Sequence, residues 1–217
     1  RPPRSTLFPY TTLFRSVRNV ALTPARFLST FAGMSGVAVE RFSVEDYRAL
    51  PEGPPFYQLV EGDLIMAPSP GSFHQDIALN VAFLLRQFVA EHRLGKVCIA
   101  PLDVYLDDAN VFQPDVFFLS TANLSRLQSD GVHGAPDLVV EITSPSNGLL
   151  EARRKRPVYA RCGVKEEWLI EPTLEQVHQY DFTRAAAKPI RLVDSDETFT
   201  TPLLPGLVIR AADLFAR

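Results

Sequence analysis

The chain has little cysteine and no long apolar run, and both features limit the classes of protein to which it can belong. Its 217 residues include only Cys98 and Cys162, which form neither a C-x-x-C pair nor a zinc-ligand spacing with histidine. We therefore expect two core thiols of a reducing cytosol rather than a disulfide framework or a zinc site. No apolar stretch approaches the roughly 20 residues that span a bilayer, so we expect a soluble, cytoplasmic protein without a membrane partner.

The motifs of several common enzyme classes are also absent. The sequence contains no G-x-S-x-G nucleophile elbow, no phosphate-cradling G-x-x-x-x-G-K, no H-E-x-x-H and no dinucleotide fingerprint. Acyl transfer through an activated serine and nucleotide hydrolysis therefore have no support in the sequence.

The N-terminal segment looks unlike a natural sequence. Residues 6–16 back-translate, with ordinary codons, to a common sequencing-adapter oligonucleotide, so we interpret residues 1–16 as an assembly artefact. The alternative is an organellar transit peptide, since residues 1–33 carry five arginines and no acidic residue. In either case we expect a non-native or disordered extension over residues 1–33, with Met34 as a candidate start, and a single domain over residues 41–217.

The arginines of residues 1–33 also offset the acidic net charge of the rest of the chain. Of the 22 Lys and Arg residues, five lie in residues 1–33, which leaves 17 against 25 acidic residues and a net charge of −8. A domain this acidic is not expected to coat nucleic acid through a general basic face. Any contact with nucleic acid must therefore be local.

Periodicity and turn residues predict short helices and strands. Ser43 and Asp46 have the spacing of a capping box, and apolar residues from Ser72 to Arg93 recur every three or four positions, as in an amphipathic helix that Gly95 ends. A further helix should run from Ser144 to about Cys162. Strands are expected at Tyr57–Met66 (a hairpin turned at Glu61-Gly62), Lys96–Leu106, Val111–Leu119, Asp137–Ile142, Glu166–Ile170, Gln176–Phe182, Ile190–Val193 and Thr198–Thr200.

The order of these elements predicts the fold class. The strand Asp137–Ile142, the helix that follows it and the strand Glu166–Ile170 have the order of a βαβ crossover. We therefore predict an α/β fold with a mixed β-sheet core flanked by helices.

Two acidic residues stand in apolar strands. Asp115 follows Pro114 at the start of one strand, and Glu141 lies inside another. A carboxylate in such a strand is costly to bury unless it is paired, hydrogen-bonded or bound to a metal. Two of them on neighbouring strands would offer hard oxygen ligands suited to Mg²⁺. The alternative for Glu141 is a side chain that reaches the sheet edge and water.

Cations follow on the next predicted helix. Lys155 lies four residues after Glu151, the favourable order for an ion pair on one helix face. Three arginines flank it and could hold a phosphate backbone, although a solvated basic face is the alternative. They are Arg153, Arg154 and Arg156.

Seven segments stand in a familiar order. They are Tyr57–Pro70, His74, Gln113-Pro-Asp115, Pro136–Ser146, Arg154–Arg156, Tyr159–Pro172 and Leu204–Leu207. Together they resemble the Uma-two family of restriction endonucleases, in the PD-(D/E)XK nuclease superfamily, from about Phe42 to the C terminus.

The resemblance implies a restriction-endonuclease-like core and a ligand set. Asp115 and Glu141 would be the metal-binding acids for Mg²⁺ or Mn²⁺, with the backbone carbonyl of Ile142 or Thr143 beside them. The superfamily lysine, expected two residues after the second acid, is Thr143 here. The family places it on the following helix, which matches Lys155.

Further residues would surround these ligands. Glu151 stands where an acid commonly precedes the lysine, Gln58 stands where many relatives carry Glu, and His74 is either a helix cap or a neighbour of the ligands. Pro157, two residues after Lys155, predicts a kink or a restart of its helix, because the proline ring clashes with the carbonyl four residues earlier.

The resulting hypothesis is metal-assisted hydrolysis of a phosphodiester. Lys155 would orient the attacking water or stabilise developing charge. The expected partner is nucleic acid, DNA first and RNA second, and paired cuts in a duplex would favour a homodimer. The alternative is a non-catalytic nucleic-acid- or protein-binding module that retains the nuclease fold.

Overall fold

The computed structural model describes residues 41–51, 53–67, 69–144, 148–184 and 187–217. The predictions for residues 1–33 therefore lie outside the described residues. The helices are α1 (Val44–Arg48), α2 (Ser72–Glu91), α3 (Gly148–Cys162) and α4 (Ala211–Leu214), with a short 3-10 helix at Thr121–Arg126. None of these helices is long and apolar enough to cross a membrane.

Fourteen strands are described. They are β1 (Tyr57–Val60), β2 (Asp63–Met66), β3 (Gly95–Ile99), β4 (Val104–Asp107), β5 (Asn110–Phe112), β6 (Val116–Ser120), β7 (Leu127–Gln128), β8 (Gly131–His133), β9 (Leu138–Ile142), β10 (Glu166–Glu171), β11 (Gln176–Asp181), β12 (Arg191–Asp194), β13 (Thr198–Thr200) and β14 (Val208–Arg210).

The strands form two large sheets and one small one. The central sheet has the order β12-β11-β10-β9-β6-β3, and the second sheet has the order β2-β1-β5-β4-β8-β7. Strands β13 and β14 pair separately. In the central sheet β9 and β10 are parallel and joined by α3, while β6 is antiparallel to β9. The predicted α/β class, mixed sheet and βαβ crossover are therefore confirmed.

One predicted hairpin is divided between the two sheets. The sequence predicted single strands at Lys96–Leu106 and Val111–Leu119, but each arm breaks in the middle. The outer halves, β3 and β6, pair in the central sheet, and the inner halves, β4 and β5, pair in the second sheet. Pro101 and Pro114 lie in the two breaks, where they cannot donate ladder hydrogen bonds. The break in the second arm is Gln113-Pro114-Asp115, so Asp115 lies where the chain passes from one sheet to the other.

The ends of the first helices follow local rules, with one correction. Ser43 and Asp46 form the predicted capping box of α1. The prediction that Gly95 ends the second helix is wrong, because α2 ends at Glu91 and Gly95 begins β3. Gly95 has a φ of 150°, and a Cβ there would lie 1.9 Å from the Leu119 carbonyl oxygen. The close pairing of β3 with β6 therefore explains this glycine.

The two faces of the central sheet are buried in different cores. On β9, Leu138, Val140 and Ile142 pack in the core that contains α2, whereas Val139 packs in the core shared with α3 and the second sheet. Successive side chains of a strand point to opposite faces. Glu141 therefore lies on the α3 side of the sheet, together with Val139.

Candidate active site

Asp115 and Glu141 lie opposite each other across two neighbouring strands. The β6–β9 register pairs Val116 with Val140, and continuing it by one residue places Asp115 opposite Glu141. Residues opposite each other in a sheet present their side chains on the same face. Asp115 Oδ2 also accepts a hydrogen bond from the Ile142 N–H at 2.8 Å, which fixes the carboxylate at the end of β9. The two acids singled out in the sequence are thus brought together.

Lys155 reaches this pair of acids from α3. Its Nζ lies 3.2 Å from Glu141 Oε1 and 2.9 Å from Glu151 Oε1, and its side chain is 3% exposed. Burial lowers the lysine pKa, but the two carboxylates outweigh it and raise the pKa above its ordinary value. Lys155 is therefore a fixed buried cation.

Pro157 does not divert this lysine. The helix continues from Gly148 to Cys162 with Pro157 inside it, so the predicted restart is wrong. The proline faces solvent, whereas the side chain of Lys155 points to Glu141 on the buried side. The helix therefore delivers Lys155 to the acids.

Gln58 and Glu151 support Lys155 from β1 and α3. Gln58 is buried and donates from Nε2 to Glu151 Oε1 at 3.2 Å, while its Oε1 accepts from the Gln113 N–H at 2.9 Å. One amide thus ties the carboxylate beside Lys155 to the chain segment that carries Asp115. Glutamine suits this position because the site needs both a donor and an acceptor, which an ionised Glu does not provide.

His74 lies against Asp115 at the start of α2. Its Nε2 is 3.4 Å from Asp115 Oδ2. Its Nδ1 is buried and has no hydrogen-bond partner within the described part of the chain. Burial lowers the His74 pKa, but the Asp115 carboxylate and the Ile142 backbone outweigh it and raise the pKa above its ordinary value. The imidazole therefore adds positive character beside Asp115.

Tyr159 is a member of the site that we did not predict. Its hydroxyl donates to Glu141 Oε1 at 2.5 Å, and its ring packs edge-on against Phe112. Burial and the Glu141 charge raise the tyrosine pKa, which keeps the hydroxyl protonated and donating. The spacing in the sequence could have found it, because Glu151, Lys155 and Tyr159 recur every four residues and share one helix face.

Opposing effects act on the pKa of the Glu141 carboxylate. Burial raises its pKa, Lys155 and the Tyr159 hydroxyl lower it, and Asp115 raises it again, with a result of about 7. A pKa this far above the ordinary value means that the charged form is poorly compensated by the protein alone. A divalent cation between Asp115 and Glu141 would supply the missing positive charge.

The donor set fits a hard divalent cation. No group of three His, Cys, Asp or Glu side chains with metal-binding geometry occurs among the described residues. Asp115 and Glu141 supply two carboxylates, and the Ile142 carbonyl would be a third oxygen. Mg²⁺ commonly uses one or two carboxylates and keeps several waters, so this small oxygen set suits it better than a full protein cage would.

The predicted basic cluster does not form a single face. Lys155 is buried with the acids, Arg154 pairs with Asp63 at 2.5 Å, and Arg153 is exposed. Arg156 requires a correction, because it is buried with the carboxylate of Glu167 at 2.6 Å and its guanidinium is therefore committed inside the fold. Four consecutive helix residues point in four directions about 100° apart, which separates their roles.

The mixed sheet and this pair of acids with its lysine are the arrangement that the resemblance implied for a restriction-endonuclease-like protein. Residues 44–212 match the family Uma2, whose description reads "Putative restriction endonuclease", and the chain belongs to this family. The family predicted from the sequence is therefore confirmed.

A solved structure shares the fold. It is the crystal structure of "a putative nuclease belonging to DUF820" from Anabaena variabilis, with a TM-score of 0.69 and 21% sequence identity. The likeness covers 80% of this chain and 97% of that chain, and it confirms the predicted fold class. No curated protein matches the chain significantly in sequence.

Proposed function

We propose that this protein is a Mg²⁺-dependent endonuclease that hydrolyses phosphodiester bonds in DNA. One observation carries the proposal. Asp115 lies opposite Glu141 when the β6–β9 register is continued by one residue, its Oδ2 accepts from the Ile142 N–H, and the ammonium of Lys155 lies 3.2 Å from Glu141 in a chain of the Uma2 family. The family description as a restriction endonuclease supports DNA as the substrate.

The cation would be held by Asp115, Glu141 and the Ile142 carbonyl, as Mg²⁺ or Mn²⁺. When bound, it lowers the pKa of a coordinated water and neutralises charge on the phosphate. The side chains around the two acids keep them in place. His74 and the Ile142 N–H hold Asp115, and the Tyr159 hydroxyl holds Glu141.

Lys155 is the group that would act on the reacting atoms. Its pKa is raised, so it stays charged at neutral pH and offers three N–H donors. Two of these directions are taken by Glu141 and Glu151. The third can orient the attacking water or stabilise charge on a phosphate oxygen.

Contacts with flanking phosphates would come from the arginines that reach the surface. Arg153 is exposed, and the side chain of Arg154 is 35% exposed in its pair with Asp63. Exposed ion pairs contribute little, so Arg154 can exchange Asp63 for a phosphate. The described part of each chain holds one such site, and paired cuts in a duplex would require a two-fold dimer. Sedimentation of the protein with and without DNA measures whether it forms this dimer.

The test is plasmid nicking in Mg²⁺ with matched variants. Wild-type protein should nick supercoiled plasmid, whereas Glu141→Ala and Lys155→Ala should not. Lys96→Ala is the matched control, because Lys96 is exposed on β3 at the end of the β3–β6 ladder away from Asp115. The proposal fails if the wild type never nicks, or if Glu141→Ala nicks at the wild-type rate.

A non-catalytic binding module is the second candidate. It is favoured by Gln58, which stands where the resemblance leads us to expect Glu, and by the two bonds that tie Lys155 to acids. Such a module would shift labelled DNA in a gel and leave plasmid supercoiled in both Mg²⁺ and Mn²⁺. Comparison of duplex DNA, single-stranded DNA and RNA in the same assay would separate DNA from RNA as the ligand.

A further inference from the structure

A pocket beside the candidate active site has the composition of a binding site. It has a volume of about 530 Å³ and is lined, among others, by Phe56, Asp103, Tyr105 and Gln113. This volume lies within the range of small-molecule sites, roughly 300–1,000 Å³. Phe56 is 42% exposed, so an aromatic ring remains available at the pocket.

Tyr105 offers a supported aromatic surface. Its ring stacks on His133, with 4.9 Å between centroids and 17° between planes. The guanidinium of Arg48, which also lines the pocket, lies 4.7 Å from the ring centroid. Arg48 pairs with Asp130, and both side chains are about half exposed, so this pair holds the arginine weakly. Aromatic rings and arginine planes are the two kinds of surface on which unstacked nucleobases stack.

Asp103 supplies a hydrogen-bond acceptor next to that ring. Its Oδ1 accepts from the Tyr47 hydroxyl at 2.9 Å and from Gln113 Nε2 at 2.7 Å. Within the described part of the chain, its Oδ2 accepts only one long bond, from the Tyr105 hydroxyl at 3.3 Å. Oδ2 can therefore accept a further donor.

The charge of the pocket selects the class of ligand. Asp103 and Asp130 both line it, and among the described lining residues Arg48 is the one cation, so a phosphate would be repelled. A neutral ring that carries an amino group suits both the aromatic surface and the carboxylate. Amino groups of cytosine and adenine donate to such acceptors.

The pocket is joined to the candidate active site by Gln113. Its side chain binds Asp103 in the pocket wall, and its backbone N–H binds Gln58, the residue that holds Glu151. Gln113 is two residues before Asp115, so their Cα atoms are at most about 7 Å apart.

We propose that this pocket binds one unstacked nucleobase of the strand whose phosphate lies at the Asp115–Glu141 site, with the Tyr105 ring and the Arg48 guanidinium over it as the stacking surface and Asp103 as the acceptor. The inference rests on the proposed function, since it takes the same strand as the substrate. It makes the enzyme selective for strands that can present an unpaired base.

Binding of short fluorescent single strands, measured by anisotropy in EDTA at low salt, tests the proposal without any cleavage. Tyr105→Ala should weaken binding of adenine and cytosine strands by about 5- to 150-fold, the effect of losing one base–aromatic stack. Tyr105→Phe keeps the ring and should stay within about threefold of wild type. Thermal melting of both variants checks that they are folded.

The base preference gives a second readout. Asp103→Asn presents an amide donor in place of Oδ2 and should move the preference from adenine and cytosine strands toward thymine strands. The inference is overturned if wild-type protein binds a strand with abasic positions as tightly as an intact one, fails to bind single strands, or is unaffected by Tyr105→Ala. Plasmid nicking is measured separately, so loss of the pocket and loss of the nuclease activity are distinguishable.

Discussion

Two buried ion pairs stand side by side in this fold, and only one of them has the features of an active site. Glu141 on β9 pairs with Lys155 of α3, and Glu167 on β10 pairs with Arg156, the next residue of the same helix. In both, a carboxylate in an apolar strand faces a cation from one helix.

The surroundings of the two pairs differ. Glu167 is fully buried, its two oxygens lie 2.6 and 3.4 Å from the Arg156 guanidinium, and that guanidinium stacks 3.6 Å above the Tyr180 ring. Glu141 instead faces a second carboxylate, Asp115, whose side chain is 20% exposed. The second acid and its access to solvent are therefore the features that set the Glu141 pair apart from the Glu167 pair.

The largest effect should follow replacement of Glu141. Glu141→Gln removes one proposed ligand and should lower the rate of plasmid nicking by roughly 10³-fold, since a bound cation would contribute several kcal/mol to stabilising the transition state. The fold should be retained, because Lys155 keeps its pair with Glu151. A folded Glu141→Gln protein that nicks plasmid at the wild-type rate would contradict the distinction drawn between the Glu141 and Glu167 pairs.

The opposite result is expected at Glu167. Glu167→Gln leaves Arg156 buried without its carboxylate and should lower the free energy of unfolding by about 3–5 kcal/mol. The nicking rate per folded molecule should not change. Urea denaturation measures the loss, with Glu197→Gln as a control, because Glu197 forms an exposed pair with Arg191 and its replacement should change little.

Tyr159 should matter for activity more than for folding. Tyr159→Phe removes the donor to Glu141 and should lower the nicking rate by about 10- to 100-fold, as for residues that orient metal ligands. Tyr180→Phe keeps the ring below Arg156 and should leave the rate unchanged. If the two variants lose the same activity, Tyr159 has no special role at Glu141.

A smaller effect is expected at the other end of β9, where Asp137 precedes the strand. Burial raises its pKa, but Lys165, Asn123 and the Ser120 N–H outweigh it and hold the pKa below the ordinary 3.8. The charged form thus stabilises the fold above pH 3.8, and this contribution is lost as the pH falls through the lowered pKa. Asp137→Asn should cost about 1–3 kcal/mol at neutral pH.

The measurement for Asp137 is urea denaturation of both proteins at pH 6 and at pH 3. The difference between wild type and Asp137→Asn should shrink at the lower pH. A difference that is the same at both values would show that Asp137 acts through its shape and not through its charge. That result would remove the contrast with Glu141, whose pKa is raised.

The sequence was sufficient for the fold class, and it singled out the two acids that the structure brings close together. Glu141 stands out as a charge in a buried strand, and Lys155 follows from helix spacing. The break of one hairpin into two sheets was missed although Pro101 and Pro114 mark it, since the β-branched and aromatic residues of each arm continue on both sides of these prolines.

Side-chain partners were the part that the sequence could not supply. Arg153, Arg154 and Arg156 read as one basic cluster, yet their partners lie on other elements, and Arg156 meets Glu167 only because β10 adds beside β9. Tyr159 was missed because its role depends on the contact of its hydroxyl. Its spacing was visible, but a tyrosine on a helix is most often a core residue until its hydroxyl is seen on a carboxylate.

Calorimetric titration with Mg²⁺ and with Mn²⁺ tests the central claim most directly. Wild-type protein and a folded Glu167→Gln variant should each bind one cation per chain, and Glu141→Gln should bind none. Equal binding by the wild type and Glu141→Gln, or no binding by the wild type, would contradict the assignment of Asp115 and Glu141 as the cation site.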